Sequence, residues 1–284
     1  MIEKAYAKIN LGLRVVGRRS DGYHDLQMLM VPIDLHDTLW IEEAPHPNII
    51  INEHLGSIED NLIYKMYFDI KKRFNVTKDA SIFVDKVIPV GAGLGGGSSD
   101  AAATLRGLDQ LWGLHLSKDE MLEIAASHGS DIPFFIASTP AYVSGRGEYV
   151  QELNSKAALH LVCIFPSYSL STKDVFALHP TSSPEAKIHE LITAYQTGIV
   201  KNIGSKLFND LIVPASMIAT SNHHQSPLWY QEMLLSHEAV AASMSGSGST
   251  VFGLYEDQAT AERICKQLQV EYPNLKIWTT STLS

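Results

Sequence analysis

Residues Pro89 to Asp100 read PVGAGLGGGSSD, with glycine at 91, 93, 95, 96 and 97 and then two serines and an aspartate. Such a run has no side chains with which to build a core, and each glycine carries backbone entropy that folding must overcome. What it supplies is bare backbone N–H groups able to curl around an anion. The segment that follows, Ala101 to Trp112, places Ala101, Ala102, Leu105, Leu108, Leu111 and Trp112 at helical spacing. VDKVIPV, just before the loop, has strand character. A glycine-rich turn feeding a helix N-terminus favours negative charge through orphan N–H groups and the helix dipole. The stretch therefore predicts a phosphate site rather than a flexible linker.

Two common phosphate patterns do not describe it. A Walker A loop needs a lysine after its last glycine, but Gly97 is followed by Ser98 and no lysine lies between Lys86 and Lys118. A dinucleotide fingerprint forced onto Gly91–Gly96 needs an acidic residue about twenty positions on. Position 113 is glycine, flanked by Trp112 and Leu114.

At 284 residues the chain can bury roughly three quarters of its unfolded surface. An apolar content of 45% with 19% charged residues places it among globular proteins. Twenty-two basic against 31 acidic residues give a net charge of −9, which argues against nucleic acid as a partner. No apolar run is long enough to span a membrane, and MIEKAYAKIN lacks the build of a secretion signal. Of the two cysteines, Cys163 sits in the apolar run LHLVCIF and Cys265 in the helical stretch AERICKQL. Neither has metal or redox spacing, so a reducing cytoplasm is expected. His223-His224, in a polar loop, predicts solvated surface.

Residues 4 to 16 alternate as a strand, with Ala5, Ala7, Ile9, Leu11 and Leu13 on one face and Tyr6, Lys8, Asn10, Gly12 and Arg14 on the other. By pattern alone, Lys8 reads as a solvated lysine. Further strands are expected at Leu39–Glu43 and Ile49–Asn52, and a helix at Asn61–Phe74. Ser117 and Glu120 form a capping box for a helix that stops at Gly129. AYVSGRGEYVQEL is a hairpin turning at Gly145-Arg146-Gly147. The C-terminal half shows strand HLVCIF, helices near Pro184–Thr197 and Gln231–His237, strand STVFGLY, helix Asp257–Val270 and a last strand at Leu275–Thr279. Mixed elements without strict alternation predict an α+β fold. A domain boundary near Asn154–Ala157 divides it into 1–155 and 156–284.

Three stretches, in order, resemble the signatures of the GHMP kinases. They are AYAKINLGLRVVGRRSDGYHDL (residues 5–26), the glycine run continued into Ala101-Ala102, and SMSGSGSTVFGLY (residues 243–255). The resemblance implies an N-terminal domain like ribosomal protein S5 domain 2 and a ferredoxin-like C-terminal domain. It implies an ATP-dependent small-molecule kinase using Mg²⁺. The pairing of AKINL with DGYH is similar to the branch whose acceptor is a cytidyl diphosphate. Another member type, acting on homoserine or mevalonate, and a non-catalytic nucleotide-binding regulator are the alternatives. An RNA-binding protein with an S5-like fold is disfavoured by the acidic charge.

Site residues carry over by motif. Lys8 is implied beside the acceptor hydroxyl and the transferred phosphoryl, and Asn10 against substrate. Asp131, in GSDIPFF, matches the catalytic base; by its own position it is also suited to capping a helix opened by Pro133. Pro89, Val90, Gly91, Ala92, Gly93, Leu94, Gly95, Gly96, Gly97, Ser98 and Ser99 would hold the ATP phosphates, with Asn61 and Lys86 on the nucleotide side. Asn61 is equally suited to capping its own helix. Tyr23 and His24 match one wall of a cytosine pocket, and Thr172 and Phe176 the other, although Phe176 also fits a core position. Ser245, Gly246, Ser247 and Gly248 would support the phosphate loop. The Mg²⁺ ligands are not assigned; Asp100 reads equally as first-turn helix charge or as a ligand.

Overall fold

A computed structural model describes residues 1–53, 60–154, 158–179 and 187–283. Its strands are β1 (Ile2–Arg18), β2 (His24–Ala44), β3 (Asn48–Ile51), β4 (Asp79–Asp85), β5 (Ala141–Gly145), β6 (Tyr149–Glu152), β7 (His160–Phe165), β8 (Phe208–Asn209), β9 (Ala241–Met244), β10 (Val251–Tyr255) and β11 (Lys276–Ser281). Its helices are α1 (Leu62–Arg73), α2 (Gly96–Trp112), α3 (Lys118–His128), α4 (Ile132–Ala137), α5 (Thr172–Ala177), α6 (Lys187–Thr197), α7 (Val200–Gly204), α8 (Ile212–Ser221), α9 (Pro227–Ser236) and α10 (Gln258–Glu271). The mixture is α+β, as expected. The chain forms two compact units, each assembled from separated segments: 1–7, 35–89 and 95–138 in the first, and 8–34, 90–94 and 139–284 in the second. The boundary expected near Asn154–Ala157 falls on 155–157, outside the described residues.

In the first unit β4 runs antiparallel to the end of β2, Thr38 opposite Asp85 and Ala44 opposite Asp79, and β3 lies parallel beside β4. Helix α1 starts where the Asn61 side chain accepts the Ile63 N–H, and it buries Ile63, Met66, Tyr67 and Ile70 along one stripe. Helix α2 buries Leu105 and Leu108 together with Ala101, Ala102 and Ala103, the alanines being small enough for close packing against its neighbours α1 and α4. Arg106 of α2 pairs with Glu3 at 3.0 Å and donates to the Phe135 carbonyl at 2.6 Å. The capping box at Ser117 and the stop at Gly129 bound α3 as expected.

Two boundaries move. The strand before the loop ends at Asp85, not in VIPV, because the Asp37 carboxylate takes the N–H groups of Val87 and Ile88 at 2.5 and 2.8 Å in place of a ladder. Helix α2 begins at Gly96 rather than Ala101, so glycines and serines of the loop form its first turn.

In the second unit β5 pairs antiparallel with the start of β2, Leu26 opposite Gly145, and turns into β6 as the predicted hairpin. Strand β8 lies parallel to β1 through Gly12–Phe208 and Leu13–Asn209. A separate antiparallel sheet has the order β11-β7-β10-β9, with α10 packed on β7 and β11 and α9 on β9 and β10. Numbered along this half of the chain, that is 4-1-3-2, the ferredoxin-like arrangement expected.

The polar face of β1 is not solvated. Residues Ala7 to Val15 are buried without interruption, so both faces of the strand are covered; on the Lys8 side a Cβ at Gly12 would run into the Leu191 and Phe208 side chains. The same double burial, over Met28–Ile33, hid most of β2 from an alternation test that found only Leu39–Glu43. Helix α8 went unread because its apolar residues make no single stripe.

Candidate active site

The glycine loop alternates left-handed glycines with buried anchors. Gly91, Gly93 and Gly95 have φ of +65°, +77° and +74°, the left-handed region that favours glycine, while Ala92 and Leu94 between them are 2% and 1% exposed. In the second unit the Ala92, Gly93 and Leu94 carbonyls accept from Thr250 N at 3.1 Å, Ser245 Oγ at 2.9 Å and Lys8 N at 3.0 Å. A side chain at Gly93 would overlap the Ser245 carbonyl and come within 2.8 Å of the Gly248 carbonyl. The Ser245–Gly248 turn thus packs backbone-to-backbone on the loop.

In the first unit α2 opens with Gly95 as its N-cap, with no capping side chain and no acidic residue in the first turn. The N–H groups that start this 17-residue helix have no intrahelical partners, and the dipole adds positive character there. Gly97 is exposed, Ser98 half-buried and Ser99 buried.

Lys8 is buried in the second unit, its Nζ donating to Asn10 Oδ1 at 2.5 Å, while Asn10 Nδ2 contacts Met28 Sδ at 3.4 Å. A Cβ on Gly246 would stand 3.2 Å from Lys8 Nζ, so the glycine turn lies beside the ammonium. Two residues that the motifs did not flag belong to this region. Asn209 Nδ2 donates to the Met244 and Gly246 carbonyls at 2.7 and 2.9 Å and so sets the turn. Arg14, on the same face of β1 as Lys8 and Asn10, is 5% exposed, with a buried Nη2 that finds no hydrogen-bond partner among the described residues.

The DGYH segment is shaped by Asp21, whose Oδ1 accepts the Tyr23 N–H at 3.0 Å, and by Gly22 at φ +87°. Tyr23 is exposed, with the Arg146 guanidinium 5.1 Å from its ring centroid. That contact joins the Gly145-Arg146-Gly147 turn to the DGYH segment, which the sequence did not suggest. His24 and Phe176 stack at 5.1 Å between centroids and 26° between planes. Phe176 is half-buried on α5, not core. Burial, with the nearby positive charge of Arg18 and His179, lowers the His24 pKa and favours the neutral imidazole. Thr172 Oγ1 meets Ser247 Oγ at 2.9 Å, joining α5 to the glycine turn. The polar-surface reading holds for His223 and His224, both exposed, and His224 also stacks on Tyr168.

The first unit carries the remaining residues. Asn61 caps α1, its side chain accepting from Ile63 N at 2.8 Å. Asp131 occupies the N-cap position of α4 without making a capping hydrogen bond, so its carboxylate is not consumed by the helix. Lys86 bridges Asp37 at 2.5 Å and Asp100 at 2.7 Å, all three side chains being 3% exposed or less. Burial works against the Lys86 charge, but the two carboxylates outweigh it and raise its pKa. Asp100 is pushed up to about 7, by burial first, with Lys86 opposing and Asp37 adding to the rise. Among the described residues no group of three acidic, histidine or cysteine side chains could cage a metal ion, and Asp100 is turned to Lys86. The described residues therefore offer no preformed Mg²⁺ cage. No helix among them is long and apolar enough to cross a membrane.

Residues 61–139 match the family model for the GHMP kinases N-terminal domain, and residues 228–274 that for the GHMP kinases C-terminal domain. The 4-diphosphocytidyl-2-C-methyl-D-erythritol kinase of Bacillus subtilis (strain 168) is 37% identical over 273 residues, 95% of this chain and 93% of that one. A crystal structure of 4-(cytidine 5'-diphospho)-2C-methyl-D-erythritol kinase aligns over 100% of both chains with a TM-score of 0.84 at 29% identity. A homoserine kinase from Cytophaga hutchinsonii shares the fold at a TM-score of 0.72 and 16% identity, over 99% of this chain and 93% of that one.

Two measurements test the local physics. Gly93→Ala combines a left-handed backbone with a backbone clash and should lose about 2 kcal/mol or more in urea unfolding; wild-type stability would show that the loop yields. The folded pKa of Asp100, about 7, lies above its ordinary 3.8. The stability this lends is complete below the ordinary value and is lost as pH rises towards 7. Between pH 5 and 8 the melting temperature of Asp100→Asn should therefore fall less than that of the wild type, and identical slopes would mean that Asp100 does not titrate there.

Proposed function

We infer that this chain, which belongs to the GHMP kinase family, transfers the terminal phosphoryl of ATP to the 2-hydroxyl of 4-diphosphocytidyl-2-C-methyl-D-erythritol. The products are the 2-phosphate and ADP, in a step of non-mevalonate isoprenoid precursor synthesis. The observation that carries the choice of acceptor is the His24–Phe176 pair. Phe176 presents an aromatic face on which a pyrimidine can stack, and the imidazole of His24, kept neutral, can hydrogen-bond it. Homoserine and mevalonate carry no base for such a wall.

Phosphoryl transfer leaves the protein little covalent work, so positioning and charge stabilisation account for most of the catalysis. The backbone of Pro89–Ser99 and the N-terminus of α2 take the ATP phosphates, with Asn61 and Lys86 on the nucleotide side. Lys8, aimed by its hydrogen bond to Asn10, offsets negative charge on the transferred group. Asp131, whose carboxylate is left free of capping duty, accepts the proton of the acceptor hydroxyl. Tyr23 and Thr172 complete the cytidyl subsite. Mg²⁺ would supply charge neutralisation on the ATP phosphates, and no side chain is assigned to hold it. We place the protein in the cytoplasm and keep the division into domains 1–155 and 156–284 as part of the same reading.

Two unit charges about 4 Å apart at an effective dielectric of about 20 interact by about 4 kcal/mol. Loss of Lys8 on that scale costs on the order of 10²–10³ in rate. Lys8→Ala and Asp131→Ala should fold normally and lose most turnover, followed as ADP release with ATP, Mg²⁺ and the cytidyl acceptor. Near-normal turnover in either variant removes that residue from the mechanism. Turnover with homoserine or mevalonate, and none with the cytidyl compound, would overturn the choice of acceptor.

A further inference from the structure

The glycine loop has two stems in the first unit, Lys86–Ile88 entering and Gly96–Asp100 leaving, and one buried ion triad joins them. Lys86 Nζ donates to Asp37 Oδ2 at 2.5 Å and to Asp100 Oδ2 at 2.7 Å. Asp37 Oδ1 meanwhile accepts the N–H groups of Val87 and Ile88 at 2.5 and 2.8 Å. The stems also touch directly: a Cβ on Gly96 would stand 3.0 Å from Ile88 Cγ2 and 3.2 Å from Lys86 Nζ. These bonds and contacts converge on a segment that has few side chains of its own to hold it.

We propose that Asp37, Lys86 and Asp100 are positioning residues for ATP, a clamp that closes the two stems and holds the first-turn amides of α2 in place for phosphate. The inference rests on reading the loop as the ATP site. Its physical basis is preorganisation: a glycine-rich backbone is entropically loose, and donors stabilise an anion best when they need no reordering as it binds. An attractive electrostatic role is excluded by arithmetic. One ammonium and two carboxylates sum to −1 with both acids ionised and to zero once Asp100 is protonated, so the triad offers a phosphate no net positive charge. Nor is a buried ion network a strong source of stability, because desolvation offsets much of its attraction. Geometry is the contribution left.

The test separates these roles by the two Michaelis constants. Asp37→Asn sets an amide N–H₂ or a lost acceptor against Lys86, Val87 and Ile88. It should raise KM for ATP by on the order of 10- to 100-fold while leaving KM for the cytidyl acceptor unchanged. A merely destabilised enzyme would lose folded fraction, lowering kcat at constant KM. The Asp100 pair keeps the proposal falsifiable should Asp37→Asn fail to fold, since Asp100 accepts no N–H from the entering stem's backbone. Asp100→Ala, which removes the acceptor for Lys86, should raise KM for ATP, and Asp100→Asn, which retains it, should restore KM to within about twofold of wild type. Wild-type KM for ATP in Asp100→Ala, or equal rises in both Michaelis constants, overturns the proposal. Failure of the wild type to release ADP with the cytidyl acceptor counts against the functional reading alone; ADP affinity measured by calorimetry on the same variants then decides the clamp, lower in Asp100→Ala if it is right and unchanged if it is wrong.

Discussion

At Gly93 two stretches of backbone meet with no space for a side chain between them. The Ser245 and Gly248 carbonyls occupy the volume that a Cβ would need, and the residue holds a left-handed φ of +77°. Around this contact the Ala92, Gly93 and Leu94 carbonyls are each taken by a donor, from Thr250, Ser245 and Lys8 in turn. A loop that would otherwise be entropically loose is thereby held by donors from distant parts of the chain.

The polar chemistry of the second unit follows from the same packing. Once β1 is covered on both faces, Lys8, Asn10 and Arg14 have to find partners within the protein or its ligands. Lys8 and Asn10 find each other, and Asn209 turns both amide hydrogens onto the glycine turn. A buried ammonium held in one direction is a better electrostatic tool than a solvated one, because little reorganisation accompanies the reaction. The first unit solves a different problem with the same means. There Lys86 is flanked by two carboxylates, and the surplus negative charge falls on Asp100, which burial drives towards protonation.

The chemistry-bearing segments were legible as local patterns. Five glycines ahead of an alanine-leucine stripe mark a glycine turn that opens a helix. The Ser117–Glu120 box and the hairpin turn at Gly145–Gly147 are short-range signals, and AKINL with DGYH is a motif of nearby residues. Each depends on neighbours within a few positions, where backbone sterics and hydrogen bonding decide the outcome. The absence of a lysine inside the loop was equally plain, and it pointed to a cation from elsewhere.

What covers each face was not legible. Alternation in β1 says that Lys8 and Arg14 share a side, but not that this side is buried. The early end of β4 depends on Asp37, and the conformation of the glycine turn on Asn209, both supplied by distant parts of the chain. Most of the elements, the glycine-rich turn at the start of α2 and the candidate residues for base and cation could be read from the linear pattern. Only the tertiary structure decided which polar groups lost water and which partners replaced it. Those partners are set by burial and long-range hydrogen bonding, for which a linear pattern carries no record.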